Sequence, residues 1–197
     1  MEISANMVKE LREKTGAGMM DCKRALASSD GDLEKAVTIL REQGLSRAAK
    51  KASREAREGL ITAYIHPGDK LGVMLEINCE TDFVARTDDF KALCKDMAMQ
   101  VAAANPLVVH RDNLDAELVN KEKEIFKSQA LNEGKPEKII DKIIAGKLEK
   151  YFQEVVLLEQ AFIKDQDKTI GDIINEAIAK FGENIQIKRF IRYRLGE

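Results

Sequence analysis

Tryptophan is absent from this chain, and aromatic residues of all kinds make up only 5% of its 197 positions. A core with so few aromatic rings must be built mainly from Ile, Leu, Val, Met and Ala, which suits packed helices better than a β-sandwich. Cysteine is also scarce, and the odd number of three excludes a complete set of intramolecular disulfides. We therefore expect reduced, mostly buried thiols at Cys22, Cys79 and Cys94, as in a cytosolic protein.

An excess of one charge is missing too, since 32 lysines and arginines accompany 34 aspartates and glutamates, for a formal net charge of -2. A strongly basic chain would have indicated a nucleic-acid partner, and this overall balance does not. The sequence also lacks a recognisable secretory signal and any run of about 20 apolar residues, the length that a membrane-spanning helix needs. These absences predict a cytoplasmic protein whose main task requires neither a membrane nor direct nucleic-acid binding.

Catalytic motifs are the third absence. The chain contains neither the G-x-x-x-x-G-K-[ST] phosphate loop nor the G-x-S-x-G nucleophile turn of hydrolases. Gly16-Ala17-Gly18 resembles the start of a dinucleotide loop, but Asp21 stands where the third glycine belongs. The two histidines, His66 and His110, and three scattered cysteines do not have the spacing of a zinc site. We therefore expect no cofactor, no metal and no enzymatic activity, which leaves recognition of another macromolecule as the function.

Residues 1–44 are predicted to form a small module of three helices, because apolar side chains recur in them at helical spacing. The repeats consist of Val8 and Leu11; of Met19, Cys22, Ala25 and Leu26; and of Leu33, Ala36, Val37 and Leu40. Gly44 is a suitable residue to end the third helix. Residues 45–58 carry basic side chains among Ala and Ser, and we interpret them as a basic helical linker. The same stretch would suit an RNA or ribosome contact, but it has no aromatic ring for base stacking.

Residues 59–197 are predicted to form an α+β core domain. Alternating residues on both sides of the Pro67-Gly68-Asp69-Lys70 turn indicate a β-hairpin. A long helix should come next and end before Pro106, and a helical hairpin should occupy residues 114–152. A last helix and a final strand after Gly182 would complete a three-stranded antiparallel sheet. The predicted fold class is thus a three-helix module followed by a mostly helical domain with one such sheet.

Three stretches of the sequence resemble one family. They are Val8–Leu26, which contains Lys9-Glu10-Leu11-Arg12 and Cys22; Asn78–Arg86, which contains Thr81-Asp82-Phe83-Val84; and Phe181–Arg189. In this order and at these separations they are similar to translation elongation factor Ts, and the resemblance covers essentially the whole chain. It implies that the first module is ubiquitin-associated-like. It also implies a guanine-nucleotide exchange factor that binds elongation factor Tu·GDP, disturbs Mg²⁺ and nucleotide binding, and promotes GDP release.

The resemblance further implies which residues touch the partner. In the segment of Thr81, Asp82, Phe83 and Val84, the phenylalanine would insert between helices of the partner's GTPase domain and shift the elements that hold Mg²⁺. Asp82 would add a hydrogen bond at the same contact. Without the family, Phe83 would be assigned to the core, because most phenylalanines are buried. In the first module, the implied contacts are Leu11, Met19, Met20 and Lys23, although the two methionines would also suit the module's own core.

The chain resembles a short form of the family, with one hairpin where longer members have two related core subdomains. Because one short chain has little surface with which to cover its partner, we expect a homodimer formed through the uncovered face of the sheet. Two alternative functions remain open at this point. Residues 47–57 could bind RNA or the ribosome, or the three-helix module could act as an adaptor for peptides or ubiquitin-like folds. The adaptor hypothesis leaves residues 59–197 without a task.

Overall fold

A computed structural model describes residues 3–197 of the chain. In chain order its helices and strands are α1 (Ala5–Thr15), α2 (Met19–Ser28), α3 (Leu33–Lys51), β1 (Glu58–Ile65), β2 (Leu71–Cys79), α4 (Asp82–Ala85), α5 (Asp88–Ala104), α6 (Ala116–Asn132), α7 (Glu137–Val155), β3 (Ala161–Phe162), β4 (Asp165–Thr169), α8 (Ile170–Phe181) and β5 (Gln186–Arg194). Short 3₁₀ turns occupy Arg111–Asn113 and Leu157–Glu159. The predicted α+β class is confirmed.

The first three helices begin and end where the sequence supplies caps. The Ser4 hydroxyl accepts a hydrogen bond from the Met7 amide, and the Asp32 carboxylate accepts one from the Lys35 amide. These bonds satisfy N–H groups that have no partner within a helix at the starts of α1 and α3. Gly16 ends α1 in the left-handed conformation at φ 66°, which glycine adopts readily. The helices share a small core of Val8, Leu11, Cys22, Ala25, Leu26, Ala36 and Leu40.

Helix α3 departs from the prediction. The sequence predicts an end at Gly44, whereas the helix runs without interruption to Lys51. One glycine inside a helix costs only about 1 kcal/mol relative to alanine, and the residues after Gly44 are mostly good helix formers. Lys50 and Lys51 lie in the last turn, where positive charge interacts favourably with the helix dipole. The first half of the predicted basic linker is therefore part of the third helix.

The three-stranded antiparallel sheet is present as predicted, with the strands in the order β1-β2-β5. In the turn between β1 and β2, Gly68 has a φ of 95° and Asp69 a φ of 57°. Glycine and aspartate both tolerate such backbone conformations, which is why they dominate tight turns. The His66 amide donates to the Leu71 carbonyl at 2.9 Å and closes the hairpin.

A second, two-stranded sheet lies outside the sequence prediction. Strands β3 and β4 pair in an antiparallel sense, with Ala161 opposite Thr169 and Phe162 opposite Asp165. A two-residue strand is too short to show the alternation of apolar and polar residues by which strands are predicted. Three long helices agree with the sequence, since α5 ends before Pro106 and α6 and α7 form the helical hairpin predicted near residues 114–152.

The chain groups into two compact units. The first contains the residues up to Leu60 together with Asn78–Phe90 and Asp172–Gln186, and the second contains Ile61–Ile77, Lys91–Gly171 and Ile187–Glu197. In the first unit, the buried Phe90 ring packs edge-on against Phe181, with the ring centroids 6.0 Å apart. The predicted domain boundaries at residues 44 and 58 would separate segments that fold independently. Compact units do not reveal which segments fold independently, so these boundaries stay a prediction.

The second compact unit encloses a buried amide network. The Gln100 side chain donates to the Gln160 side-chain oxygen at 3.1 Å and accepts from the Ile163 amide at 2.9 Å. The Gln160 amide donates in turn to the Glu154 carbonyl at 2.7 Å. Buried polar groups stabilise a fold only when they are paired, as these are.

None of the helices formed by residues 3–197 has both the length and the apolar character needed to cross a membrane.

Candidate functional site

Helix α4 is a single turn that presents Phe83 to solvent. The Thr81 hydroxyl caps the turn by accepting from the Val84 amide at 3.4 Å, and the Ala85 amide donates to the Thr81 carbonyl at 3.3 Å. Ala85 is buried on the inner side of the turn, whereas Phe83 keeps 79% of its surface exposed. An exposed phenylalanine held by a capped turn has the geometry of a contact residue, in contrast to the core position that residue type alone suggests.

The residues around Phe83 connect α4 to the long helix α5. Asp82 lies within 2.7 Å of the Arg86 guanidinium, one helical turn further on. The Thr87 hydroxyl donates to the Val84 carbonyl at 2.8 Å and accepts from the Phe90 amide at 3.2 Å. These bonds end one helical turn and begin the next helix within a few residues. The position of the Phe83 backbone is thus fixed from both sides.

Glu183 is a residue of this site that sequence patterns do not identify. One of its carboxylate oxygens accepts from the amides of Glu80 at 3.1 Å and Thr81 at 3.0 Å, and the other accepts from the Thr81 hydroxyl at 2.6 Å. The two segments are about a hundred residues apart in the chain, so local spacing contains no signal of their contact. The only indication is that Glu183 belongs to the Phe181–Arg189 stretch of the family resemblance.

Cys79 lies beneath the turn and is not a reactive thiol. It is fully buried and donates to the Thr81 carbonyl at 3.1 Å. Burial, together with the negative charge of Glu183, raises the pKa of Cys79 to about 11. Because the nucleophilic form of cysteine is the thiolate, this group takes no part in chemistry at neutral pH. Cys22 and Cys94 are also buried.

The start of α2 forms the second predicted contact surface. Met19 and Met20 are 57% and 65% exposed, so the structure places these side chains on the surface rather than in the module's core. Lys23 is exposed one turn further along the same helix. Leu11, in contrast, is fully buried in the core of the three helices. The side chain of Leu11 can therefore support this surface only from within.

An ion pair fixes α2 against α3. The Arg47 guanidinium makes two hydrogen bonds to the Asp21 carboxylate, at 2.8 and 2.9 Å, and Arg24 adds a third contact. The hydrogen bonds from Arg47 lower the pKa of Asp21 to about 2, and Arg24 acts in the same direction. Asp21 directly follows Met20, so this pair also holds the start of α2 in place.

The basic stretch of residues 45–58 is largely engaged within the protein. Arg47 bonds to Asp21, Lys51 donates to the Gly182 carbonyl, Arg54 lies 3.7 Å from Glu80, and Arg57 lies 2.7 Å from Glu55. Four of its five basic side chains therefore contact other groups of this chain. A surface that binds RNA needs cations that are available to phosphates. Arg54 and Arg57 nevertheless stay 53% and 79% exposed, so RNA binding by this stretch stays a hypothesis.

The eight predicted contact residues lie in the same compact unit of the fold. Their side chains supply apolar contact area and hydrogen-bonding groups. Within the described range 3–197, no cluster of three or more His, Cys, Asp or Glu residues has a geometry that could hold a metal ion. An exposed aromatic ring on a capped turn and two exposed methionines at the start of α2 are features typical of proteins that bind other proteins.

Comparison with known proteins supplies the family. A family model described as Elongation factor TS matches residues 3–197. Elongation factor Ts of Heliobacterium modesticaldum is 65% identical over 195 residues, which cover 99% of this chain and 91% of that protein. Elongation factor Ts of Thermodesulfovibrio yellowstonii is 59% identical over 197 residues, which cover 100% of this chain and 98% of that protein. The chain therefore belongs to the elongation factor Ts family.

Family membership establishes the class of function. The protein is a nucleotide exchange factor that acts on elongation factor Tu during translation elongation, and it is not an enzyme. An exchange factor works because it binds the nucleotide-free partner more tightly than the nucleotide-bound one. By thermodynamic linkage, the nucleotide must then bind more weakly when the factor is present. The prediction from the sequence motifs is confirmed at this level.

Proposed function

We propose that the Phe83 turn is the part of this exchange factor that weakens Mg²⁺ and GDP binding by elongation factor Tu. In this proposal the Phe83 ring inserts between helices of the partner's GTPase domain, and Asp82 forms a hydrogen bond beside it. The observation that supports the proposal is the exposure of Phe83 on a capped turn whose inner side is buried. A rigid aromatic side chain loses little conformational freedom on binding, which makes it an effective anchor.

The contribution of Phe83 can be given an order of magnitude. Truncating an aromatic anchor at the centre of an interface typically costs about 2 kcal/mol or more. About 2 kcal/mol corresponds to roughly a thirtyfold change in an equilibrium constant. A factor that weakens nucleotide binding a thousandfold would need about 4 kcal/mol of coupling. A cost of this size for truncating Phe83 would be a substantial fraction of such a coupling only if the ring contacts the nucleotide-free partner better than the loaded one.

The second contact in this proposal is the start of α2, where Met19, Met20 and Lys23 bind the GTPase domain near the guanine end of its nucleotide site. Methionine side chains adapt to irregular surfaces, and their exposure leaves them available for contact. Leu11 takes part indirectly in this proposal, because its buried side chain packs within the helices that carry the methionines. We assign it a supporting role rather than direct contact.

The test is release of a fluorescent GDP analogue from purified elongation factor Tu, measured with increasing amounts of the parent protein and of Phe83→Ala. We expect strong acceleration by the parent and roughly a thirtyfold loss in the variant. Because the ring is exposed, its removal should leave the melting temperature nearly unchanged. Leu131→Ala is a matched control, since Leu131 is also exposed but lies on α6 in the other compact unit.

Each result of the GDP-release assay has a different interpretation. Equal rates for Phe83→Ala and the parent would remove the Phe83 turn from the mechanism. Equal losses in Phe83→Ala and Leu131→Ala would indicate a general effect of deleting surface apolar groups. Loss of exchange in a combined Met19→Ala and Met20→Ala variant, with the melting temperature retained, would support the second contact.

We also propose that the protein is a cytoplasmic homodimer assembled through the open face of its three-stranded sheet. That face carries five exposed apolar side chains: Ile61, Ile65, Met74, Ile191 and Tyr193. On β2 the alternate residues Val73, Leu75 and Ile77 are buried, so the opposite face of this strand packs against the interior. A cluster of exposed apolar side chains on one face is typical of a protein interface.

A second copy is the favoured occupant of this face because the face can complement itself. Arg189 and Glu76 pair there at 2.7 Å within one chain, so an identical apolar face can cover this surface without leaving either charge unpaired. Sedimentation equilibrium at micromolar concentration should give twice the mass of one chain. A monomer mass under those conditions would refute the dimer and leave the exchange proposal untouched.

A further inference from the structure

We infer that Glu183 is a positioning residue for exchange, and that the segment Gly182–Asn184 holds the Phe83 turn in the orientation needed for partner binding. The inference rests on the function proposed above for Phe83. It adds a residue that lies about a hundred positions away in the sequence and outside the predicted contacts. We refer to Gly182–Asn184 as the clamp segment.

Glu183 bonds directly to the residues that begin the Phe83 turn. Its carboxylate accepts three hydrogen bonds from the two residues that precede α4: the Glu80 amide, the Thr81 amide and the Thr81 hydroxyl. The distances of 3.1, 3.0 and 2.6 Å are those of well-formed bonds to a charged acceptor. Thr81 is also the cap of α4, so the same hydroxyl bonds both to Glu183 and to the turn that carries Phe83.

The bonds between the clamp segment and the residues before α4 are reciprocal. The Glu80 carboxylate accepts from the Asn184 amide at 2.6 Å, while the Glu80 amide donates to Glu183. Two neighbouring residues of each segment are therefore tied to two neighbouring residues of the other. A pair of segments joined in this way cannot shift relative to each other without breaking several charge-assisted bonds at once.

The clamp segment also holds the end of α3. The Asn184 side chain is buried and donates to the Arg54 carbonyl at 2.7 Å. The Lys51 ammonium, in the last turn of α3, donates to the Gly182 carbonyl. One short segment thus contacts both the helix of the N-terminal module and the residues before Phe83. All of these groups belong to the first compact unit.

These contacts explain the position of Glu183. A short turn such as α4 would be mobile by itself, and ordering it on binding would weaken the complex. The bonds to Glu183 order the turn before the partner arrives. Truncating Glu183 to alanine leaves the Glu80 and Thr81 amides and the Thr81 hydroxyl without their acceptor, so the Phe83 turn should loosen while the ring itself is unchanged.

The test is a double-mutant cycle in the GDP-release assay, with Phe83→Ala, Glu183→Ala and the combined variant. We expect about a tenfold loss for Glu183→Ala and about a thirtyfold loss for Phe83→Ala. If Glu183 acts through Phe83, the combined variant should lose about thirtyfold, whereas independent effects would multiply to about three-hundredfold. Glu124→Ala is the matched control, since this exposed glutamate lies on α6 in the second unit.

Two further variants distinguish positioning from general destabilisation. Glu183→Gln keeps an oxygen that can accept from both amides and should restore exchange to within about threefold of the parent. Thr81→Val removes the hydroxyl from the other side of the contact and should also be non-additive with Phe83→Ala. It gives a second cycle if Glu183→Ala lowers the melting temperature below that of the assay. Hydrogen exchange should be faster at the Glu80 and Thr81 amides in Glu183→Ala but not in Phe83→Ala.

Non-additive losses with faster amide exchange at Glu80 and Thr81 support the inference. Multiplicative losses, or unchanged exchange activity in Glu183→Ala and Thr81→Val, overturn it while leaving Phe83 as an anchor. Failure of Glu183→Gln to recover activity also counts against positioning by hydrogen bonds. If Phe83→Ala alone has no effect, the proposed function itself fails, whereas an active Phe83 with multiplicative losses overturns only the role of Glu183, so the two failures are distinguishable.

Discussion

The ion pair between Asp21 and Arg47 should make stability depend on pH in a defined direction, and Asp21→Asn is the substitution that tests it. Arg47 holds the pKa of Asp21 at about 2, below the ordinary aspartate value of 3.8. A shift of this size corresponds to at most about 2.4 kcal/mol. Because Arg47 and Arg24 are 42% and 64% exposed, solvent screening reduces the expected contribution to about 1 kcal/mol.

The direction of the pH dependence is set by the lowered pKa. An aspartate whose folded-state pKa lies below its unfolded-state value stabilises the fold fully at pH values above the unfolded pKa. That contribution should be present above about pH 4 and should be lost as the pH falls through the folded-state pKa of about 2. Asp21→Asn removes the titrating group, so the free-energy difference between parent and variant should be largest near neutral pH and shrink below about pH 4.

Urea unfolding monitored by far-UV circular dichroism at a series of pH values from about 7 to about 3 measures this difference. Asp30→Asn is the matched control, because Asp30 is exposed beside the end of α2 and has a φ of 52° that asparagine also tolerates. Its stability difference from the parent should be near zero. A difference for Asp21→Asn that is absent at neutral pH, or as large in acid as at neutral pH, would refute the reasoning.

Two further predictions concern the interior and the open sheet face. Phe90→Ala removes a fully buried ring in contact with Phe181. It should lower the free energy of unfolding, measured in urea, by about 3–5 kcal/mol. A decrease of less than about 1 kcal/mol would contradict tight packing at this site. Met74→Lys places a charge among the exposed apolar residues of the sheet and should shift the protein to a monomer mass in sedimentation with its circular dichroism unchanged, whereas an unaltered dimer would exclude that face as the interface.

Local sequence signals predict much of this fold. The β1–β2 hairpin is predicted by alternating apolar residues around a Pro-Gly-Asp turn, and the end of α5 by the proline at position 106. The helical hairpin is predicted by its apolar stripe and the glycine between its helices. Each of these features depends on residues within a few turns of one another. Gly44 shows the limit of such signals, since its helix-breaking tendency is weaker than the combined preference of the residues after it.

The candidate site likewise contains one residue that the sequence identifies and one that it does not. The family motif identifies Phe83 as a contact residue, which stays a prediction, and the structure exposes its ring although residue type alone assigns it to the core. The residues next to Glu183 in the sequence do not identify it as part of the site. Its three hydrogen bonds are to Glu80 and Thr81, which lie about a hundred residues earlier in the chain. The small β3–β4 sheet is missed for a different reason, since β3 has only two residues and the five residues of β4 are all polar, so neither strand shows an alternation of apolar and polar side chains.

The continuity of α3 limits how the length of this protein can vary. Each residue inserted into an α-helix rotates the part before it by about 100° and moves it by about 1.5 Å. One extra residue between Arg47 and Lys51, after the contacts that join α3 to α2, would therefore turn Met19 and Met20 away from their present direction relative to the end of the helix. About seven extra residues, close to two full turns, would restore the direction but displace both methionines by about 10 Å. The length of α3 therefore determines where Met19 and Met20 lie relative to the end of the helix, in addition to the identity of the residues themselves.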